Sequence, residues 1–275
     1  MSDFTEASTS RHVQAGKIRV HFNDAGEGPC VILLHGGGAG ASGWGNFWRN
    51  VGPLAENHRV LLVDQLGFAG TGHWDDVANN SENNARMLAD LLDVLKIERA
   101  SLVGNSMGGV TAMNFAIDYP DRTHRVVQMG SAVGVNTSIF MPIPTEGQKV
   151  LAEAARNPTV ETLSKLFSLM VYDSSFVTKE LLETRVAAAL ATRRPENFKP
   201  GAPMQRDLTH ELRKCVAKTL IVWGRDDRVV PLDAALRLLW GLPDAQLHVY
   251  PNCGHWVQYE HADAFNRLIL DFLDE

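Results

Sequence analysis

The sequence predicts an α/β fold: a mostly parallel central sheet flanked by helices, with a helical cap (lid) inserted into it. Three observations carry this. Short, mostly apolar runs recur at residues 31–34, 60–63, 100–103, 126–129 and 219–222, as expected of strands buried on both faces of a parallel sheet. Helical patterns separate several of them. Between about Gly134 and Arg206 the buried-strand pattern stops and helical segments replace it.

In chain order, residues 18–22 (IRVHF) alternate apolar and polar, like a half-exposed antiparallel strand. The apolar runs at 31–34 and 60–63 follow. Residues 81–95 have Met87, Leu88, Leu91, Leu92 and Leu95 at helical spacing, with Ser81 as a candidate N-cap. The strands at 100–103 and 126–129 flank a helix over 107–117. In the insertion, helices are expected over 145–155, 159–170 and 178–192, the first opened by a Thr145/Gln148 capping box. Pro142, Pro144, Pro158, Pro195, Pro200 and Pro203 punctuate this stretch. The sheet resumes at Lys218, a weaker strand covers 246–250, and a helix over 262–273 closes the chain. The expected division is a core from residues 1–134 and 207–275 and a cap from 135–206. Open α/β sheets bind ligands at the carboxyl ends of their strands. A cap there would shield a pocket from water.

A chain of 275 residues can bury a large core. With 26 Lys plus Arg against 32 Asp plus Glu and no basic block, nucleic-acid binding is disfavoured. Anion selectivity must come from a local site. Cys30, Cys215 and Cys253 are odd in number and widely spaced, which argues against a disulfide framework or a cysteine zinc site. Residues 1–10 are polar, and no apolar run approaches the ~20 residues that span a bilayer. A cytoplasmic protein, without membrane contact, is the expectation.

The strongest motif is Gly104-Asn105-Ser106-Met107-Gly108-Gly109. It stands between a strand and a helix, the context of a G-x-S-x-G nucleophile elbow. Small residues at 104 and 108 leave room for a sharp turn. Ser106 would project from a helix N-terminus, and the Met107 amide would face a developing oxyanion. The run His35-Gly36-Gly37-Gly38-Ala39-Gly40 follows another strand, and Gly37 is the favoured second oxyanion donor. A phosphate loop is disfavoured, because no G-x-x-x-x-G-K-[ST] pattern appears. His35 itself reads as a packed, hydrogen-bonded residue.

The serine needs a base and the base an orienting acid. His255, in Cys253-Gly254-His255-Trp256 after the last strand, is the best base among ten histidines. The order serine, acid, histidine is that of α/β-hydrolases. For the acid, Asp226 and Asp227 compete after the strand at 219–222. Only one is expected to face His255, the other being solvated or paired with Arg225 or Arg228. Spacing does not choose between them. No further ligand lies at metal spacing, so the pair does not read as a metal site; no organic cofactor is expected either.

Together, residues 34–40, Gly43-Trp44 with Asn46, residues 104–109, residues 223–228 with Val230-Pro231, and Gly254-His255-Trp256 with Glu260-His261-Ala262 resemble the meta-cleavage-product hydrolases. These are carbon–carbon bond hydrolases of the α/β-hydrolase superfamily. The likeness spans nearly the whole chain, including Tyr172-Asp173 and residues 178–185. It is nearest to enzymes acting on 2-hydroxy-6-oxo-6-arylhexa-2,4-dienoates, including the 6-phenyl compound. The resemblance implies a catalytic triad of Ser106, Asp227 and His255, with Gly37 and Met107 as oxyanion donors. It implies that Gly38, Asn46, Asn105, Ser175, Arg185 and Trp256 contact a small-molecule dienoate. It also implies a homodimer or higher homo-oligomer. From the residues alone, Arg185 reads instead as a surface helix residue paired with Glu180 or Glu183, and Trp256 as a packing residue. Ile139, Met141, Phe167, Met170, Val171 and Phe176 are candidates for the apolar end of the pocket. Two departures, Ala39 and Leu66 where many relatives carry Pro, bear on substrate preference. The rival readings are a carboxylesterase on the same fold and a non-catalytic small-molecule receptor. A haloalkane dehalogenase is disfavoured, since it would carry Asp at 106.

Overall fold

Among the described residues of the computed structural model, eight strands form one sheet. The structure describes residues 4–74, 77, 79–133, 138–192 and 206–275. The expected breaks near residues 134 and 206 therefore fall at the margins of, or in, stretches outside the described residues, as do Pro195, Pro200 and Pro203.

The chain opens with a short helix α1 (Glu6–Thr9), then β1 (Ser10–Ala15), β2 (Ile18–Ala25), β3 (Cys30–Leu34), α2 (Gly43–Leu54) and β4 (Arg59–Val63). Next come α3 (Ser81–Val94), β5 (Ala100–Asn105), α4 (Met107–Asp118) and β6 (Thr123–Met129). Three helices follow: α5 (Glu146–Arg156), α6 (Val160–Met170) and α7 (Lys179–Ala191). The sheet ends with β7 (Lys218–Gly224), α8 (Asp233–Gly241) and β8 (Ala245–Tyr250), and the chain closes with α9 (Val257–Glu260) and α10 (Ala262–Asp274).

The sheet order is β1-β2-β4-β3-β5-β6-β7-β8; β2 pairs antiparallel with both β1 and β4, as its alternating pattern predicts, and β3 through β8 are mutually parallel. Successive residues of a strand face opposite sides of the sheet. Ile32 and Leu34 thus join the core under α3, α4 and α8, whereas Val31 and Leu33 pack against α2 and α10. β8, an edge strand, is only partly buried, which explains its weaker sequence pattern.

Some elements differ from expectation. The strand β1 and helices α2 and α8 are additions. Gly43, Gly45, Gly52 and Pro53 give α2 the look of a loop. It forms because Ser42 caps it and Phe47, Val51 and Leu54 bury one face. The N-cap of α3 is Asn80, not Ser81: its side chain accepts from the Asn83 amide, and Ser81 is buried one position later. The Thr145/Gln148 capping box opens α5, and a second box at Thr159 opens α6. Among the described residues no helix is long and apolar enough to cross a membrane, and no cluster of three or more His, Cys, Asp or Glu is placed to hold a metal ion.

Candidate active site

The carboxyl ends of β3, β5, β7 and β8 meet beneath α5, α6 and α7. Ser106 stands between β5 and α4 with φ 54° and ψ −117°, a conformation that costs a non-glycine residue on the order of 1–3 kcal/mol. Its amide donates to Met129 O at 2.7 Å, which ties the turn to β6. The flanking glycines are sterically required. A Cβ on Gly104 would lie 2.4 Å from Gly108 O, and one on Gly108 would lie 2.1 Å from Leu34 O. Met107 is the first residue of α4, so its amide has no acceptor within the helix. Gly37 lies close by: a Cβ there would meet Met107 Sδ at 3.4 Å.

His35 holds the glycine loop rather than facing the cavity. Its Nδ1 donates to Gly36 O at 2.8 Å, and Nε2 accepts from the Gln65 amide at 3.0 Å. Gln65 donates back to His35 O and accepts from Thr111 of α4. These partners fix a neutral ring, and burial pushes its pKa down.

The two aspartates separate. Asp226 pairs with Arg225 at 3.2 Å near the surface. Asp227 is 1% exposed. Its Oδ1 accepts from the Val229 and Val230 amides at 2.8 and 2.9 Å, and its Oδ2 faces His255 Nδ1 at 2.7 Å. With Nδ1 committed, Nε2 is the nitrogen left for proton transfer.

Ser106 and His255 line one cavity, together with Gly37 and Gly38. Asn46, Asn105, Arg185 and Trp256 line it too. Asn46 Nδ2 lies 3.5 Å from Asn105 Oδ1, and Asn105 donates to His255 O at 3.2 Å. Leu151, Leu163, Leu166, Phe167, Met170 and Val229 supply an apolar wall. Of these, only Phe167 and Met170 are anticipated from sequence. The leucines come from the buried faces of α5 and α6, whose amphipathic spacing marks burial without saying against what.

Arg185 corrects its surface reading. It is 8% exposed, donates to Gly40 O at 2.8 Å, and lies over Trp256 and Phe167, 5.4 and 5.9 Å from their ring centres. Glu183 instead pairs with Lys179. Among the described residues no carboxylate pairs with Arg185, and burial lowers its pKa to about 10. A buried cation without a carboxylate, lining a cavity, is suited to hold an anion.

Ser175 is not brought into the cavity. It is exposed in the turn after α6, where its amide bonds Asp173 Oδ1 at 2.8 Å. Ile139 is 84% exposed, Val171 is buried in the α5–α7 packing, and Phe176 packs on Tyr259. Met141 is half-buried and also outside the lining. The arrangement can support nucleophilic attack on a carbonyl, with a nucleophile, a base and a cation lining one cavity.

The family model for the alpha/beta hydrolase fold matches residues 29–262. The chain is 48% identical, over 98% of both chains, to a 2-hydroxy-6-oxononadienedioate/2-hydroxy-6-oxononatrienedioate hydrolase of Paraburkholderia phymatum. It is 46% identical, over 99% of both, to a 2-hydroxy-6-oxo-6-phenylhexa-2,4-dienoate hydrolase of Burkholderia cepacia. A meta-cleavage product hydrolase from Pseudomonas fluorescens superposes with a TM-score of 0.85 at 31% identity, covering 98% of each chain.

Proposed function

The chain belongs to the meta-cleavage product hydrolases of the α/β hydrolase fold family, and from that premise we propose that it cleaves a 2-hydroxy-6-oxo-6-arylhexa-2,4-dienoate to 2-hydroxypenta-2,4-dienoate and an aromatic acid such as benzoate. The observation that carries this reading is Arg185: a buried cation in the same cavity as Ser106 and His255, whose remaining lining is largely apolar. A carboxylate at one end of the substrate suits Arg185, with Trp256 against it and Asn46 and Asn105 lining the same cavity. An aryl group suits the leucines, Phe167 and Met170.

The substrate is a vinylogous 1,5-diketone in its dienol form. Loss of the 2-hydroxyl proton and protonation at C5 convert it to a 2,6-diketone. The 2-oxo group is then an electron sink. His255, oriented by Asp227, carries the protons through Nε2. Ser106 Oγ attacks C6 as His255 takes the hydroxyl proton, and the Gly37 and Met107 amides receive the oxyanion. The C5–C6 bond breaks, its electrons passing to the 2-oxo end, and protonation there yields the hydroxydienoate. Water, deprotonated by His255, hydrolyses the acyl group from Ser106 and releases the aromatic acid. A cytoplasmic location and a homo-oligomeric state belong to the same reading.

Relatives named for the nonadienedioate match equally well, and that substrate carries a second carboxylate beyond C6. Among the described lining residues Arg185 is the single cation, which supports an aryl rather than an acidic C6 substituent. The test is stopped-flow mixing with the yellow 6-phenyl dienoate, with product identification and Ser106→Ala alongside. Rapid bleaching to benzoate and the hydroxydienoate, slowed at least ~10³-fold in the variant, is the expected result. Persistence of the colour with rapid turnover of the nonadienedioate would overturn the aryl assignment. Turnover of simple esters alone would favour a carboxylesterase.

A further inference from the structure

The loop carrying His255 is held by groups that the chemistry above does not use. α6 ends at Met170, and the backbone that follows lies against this loop. The His255 amide donates to Met170 O at 2.6 Å. A Cβ on Gly254 would come within 2.4 Å of Met170 O and 2.9 Å of Val171 Cα, so glycine is needed for the approach. Glu260, at the end of α9, closes the arrangement. Its Oε2 accepts from the Tyr172 amide at 2.6 Å. Its Oε1 accepts from the Gly254 and Trp256 amides at 2.9 and 3.3 Å, with Cys253 Sγ at 3.8 Å. Trp256 packs on Phe167 of α6 with ring centres 5.5 Å apart.

We propose that Glu260 is a positioning residue for the base, joining the end of α6 to the His255 loop so that the apolar wall and His255 are held as one unit. The inference rests on the proposed function for its kinetic test. Only a carboxylate serves here. It accepts at both oxygens, one toward Tyr172 and one toward Gly254 and Trp256, and such charge-assisted bonds are short and strong. A glutamine would present a donor to one of the two sides. α6 supplies Leu163, Leu166, Phe167 and Met170 to the cavity, so whatever presses on that wall is transmitted to the backbone of His255.

Two variants of the full chain test this. Glu260→Gln is expected to lower kcat about tenfold to a hundredfold, to change KM less than about threefold, and to displace the acid limb of the kcat/KM pH profile that reports the base. Tyr172→Pro deletes the amide on the α6 side together with a phenol ring that is 57% exposed. Val171 is already extended (φ −116°, ψ 154°), as a residue before proline must be. It should displace the same limb by less. Hydrogen–deuterium exchange, which needs no turnover, should rise together in segments 171–174 and 253–257 of Glu260→Gln. Wild-type kcat with an unmoved profile in both variants overturns the proposal, as does an activity loss that merely follows the drop in Tm. If Glu260→Gln does not fold, Tyr172→Pro decides alone. A wild-type enzyme inert toward the dienoate would refute the proposed function instead, and the exchange result would still judge the coupling.

Discussion

Asp227→Asn is the substitution whose outcome the geometry constrains most. Asp227 Oδ1 accepts two backbone amides, from Val229 and Val230. An asparagine must therefore keep its carbonyl oxygen there and turn its NH2 toward His255, where Oδ2 now lies 2.7 Å from Nδ1. A donor facing Nδ1 forces the ring into the Nε2–H tautomer. The nitrogen that should take the Ser106 proton then already carries one. In serine hydrolases a tautomer error of this kind lowers kcat by about 10⁴, or ~5.5 kcal/mol of transition-state stabilisation. Folding should be little affected, because the size and both amide bonds are kept. Asp226→Asn is the internal control. It breaks a partly exposed pair with Arg225, worth at most ~1 kcal/mol, and kcat should stay within about twofold. Single-turnover bleaching of the dienoate, with Tm measured on the same samples, reads both. An Asp227→Asn enzyme within tenfold of wild type, or a larger loss in Asp226→Asn, would refute this account of the acid.

Arg185→Met should raise KM roughly tenfold to a hundredfold through loss of a charge-assisted contact, while Tm holds or rises, because an unpaired buried cation is removed. A fall in Tm with unchanged KM would make Arg185 structural. Gly108→Ala places a methyl 2.1 Å from Leu34 O and should cost at least ~2–3 kcal/mol, whereas Gly38→Ala, with nothing within 4 Å of the added carbon, should leave Tm unchanged; equal thermal melts would refute the steric account of the elbow. His35 binds its proton less readily folded than unfolded because it is buried. Below the ordinary value of about 6.5 the unfolded chain takes up the proton first, so stability falls as pH drops through that value toward the lower folded one. Urea melts from pH 7.5 to 5 should show that slope flattened in His35→Asn; an unchanged slope would assign it to other groups.

The sheet and the elbow are legible in the chain alone. Apolar runs of four or five residues have few alternatives to burial in a parallel sheet, and the clash that Gly104 avoids with Gly108 O acts within a few residues of Ser106, whereas that of Gly108 with Leu34 O needs β3 in place. The helices of the insertion were legible for the same reason, since caps and 3.6-residue periodicity are local. The choice of Asp227 over Asp226 rested on resemblance, because alternating side chains at a strand end look alike until His255 is placed beside one of them. The place of Arg185, which its helix would leave on the surface with Glu183, depends on packing between distant elements. Arg185 buries because α7 lies over the glycine loop, where Gly40 O and the faces of Trp256 and Phe167 receive it. Ser175 shows the converse, an expected contact left exposed by its turn. The apolar wall and the Glu260 contacts bring together residues far apart in the chain. Their convergence depends on how strand-end loops and the inserted helices pack, and no local pattern specifies that.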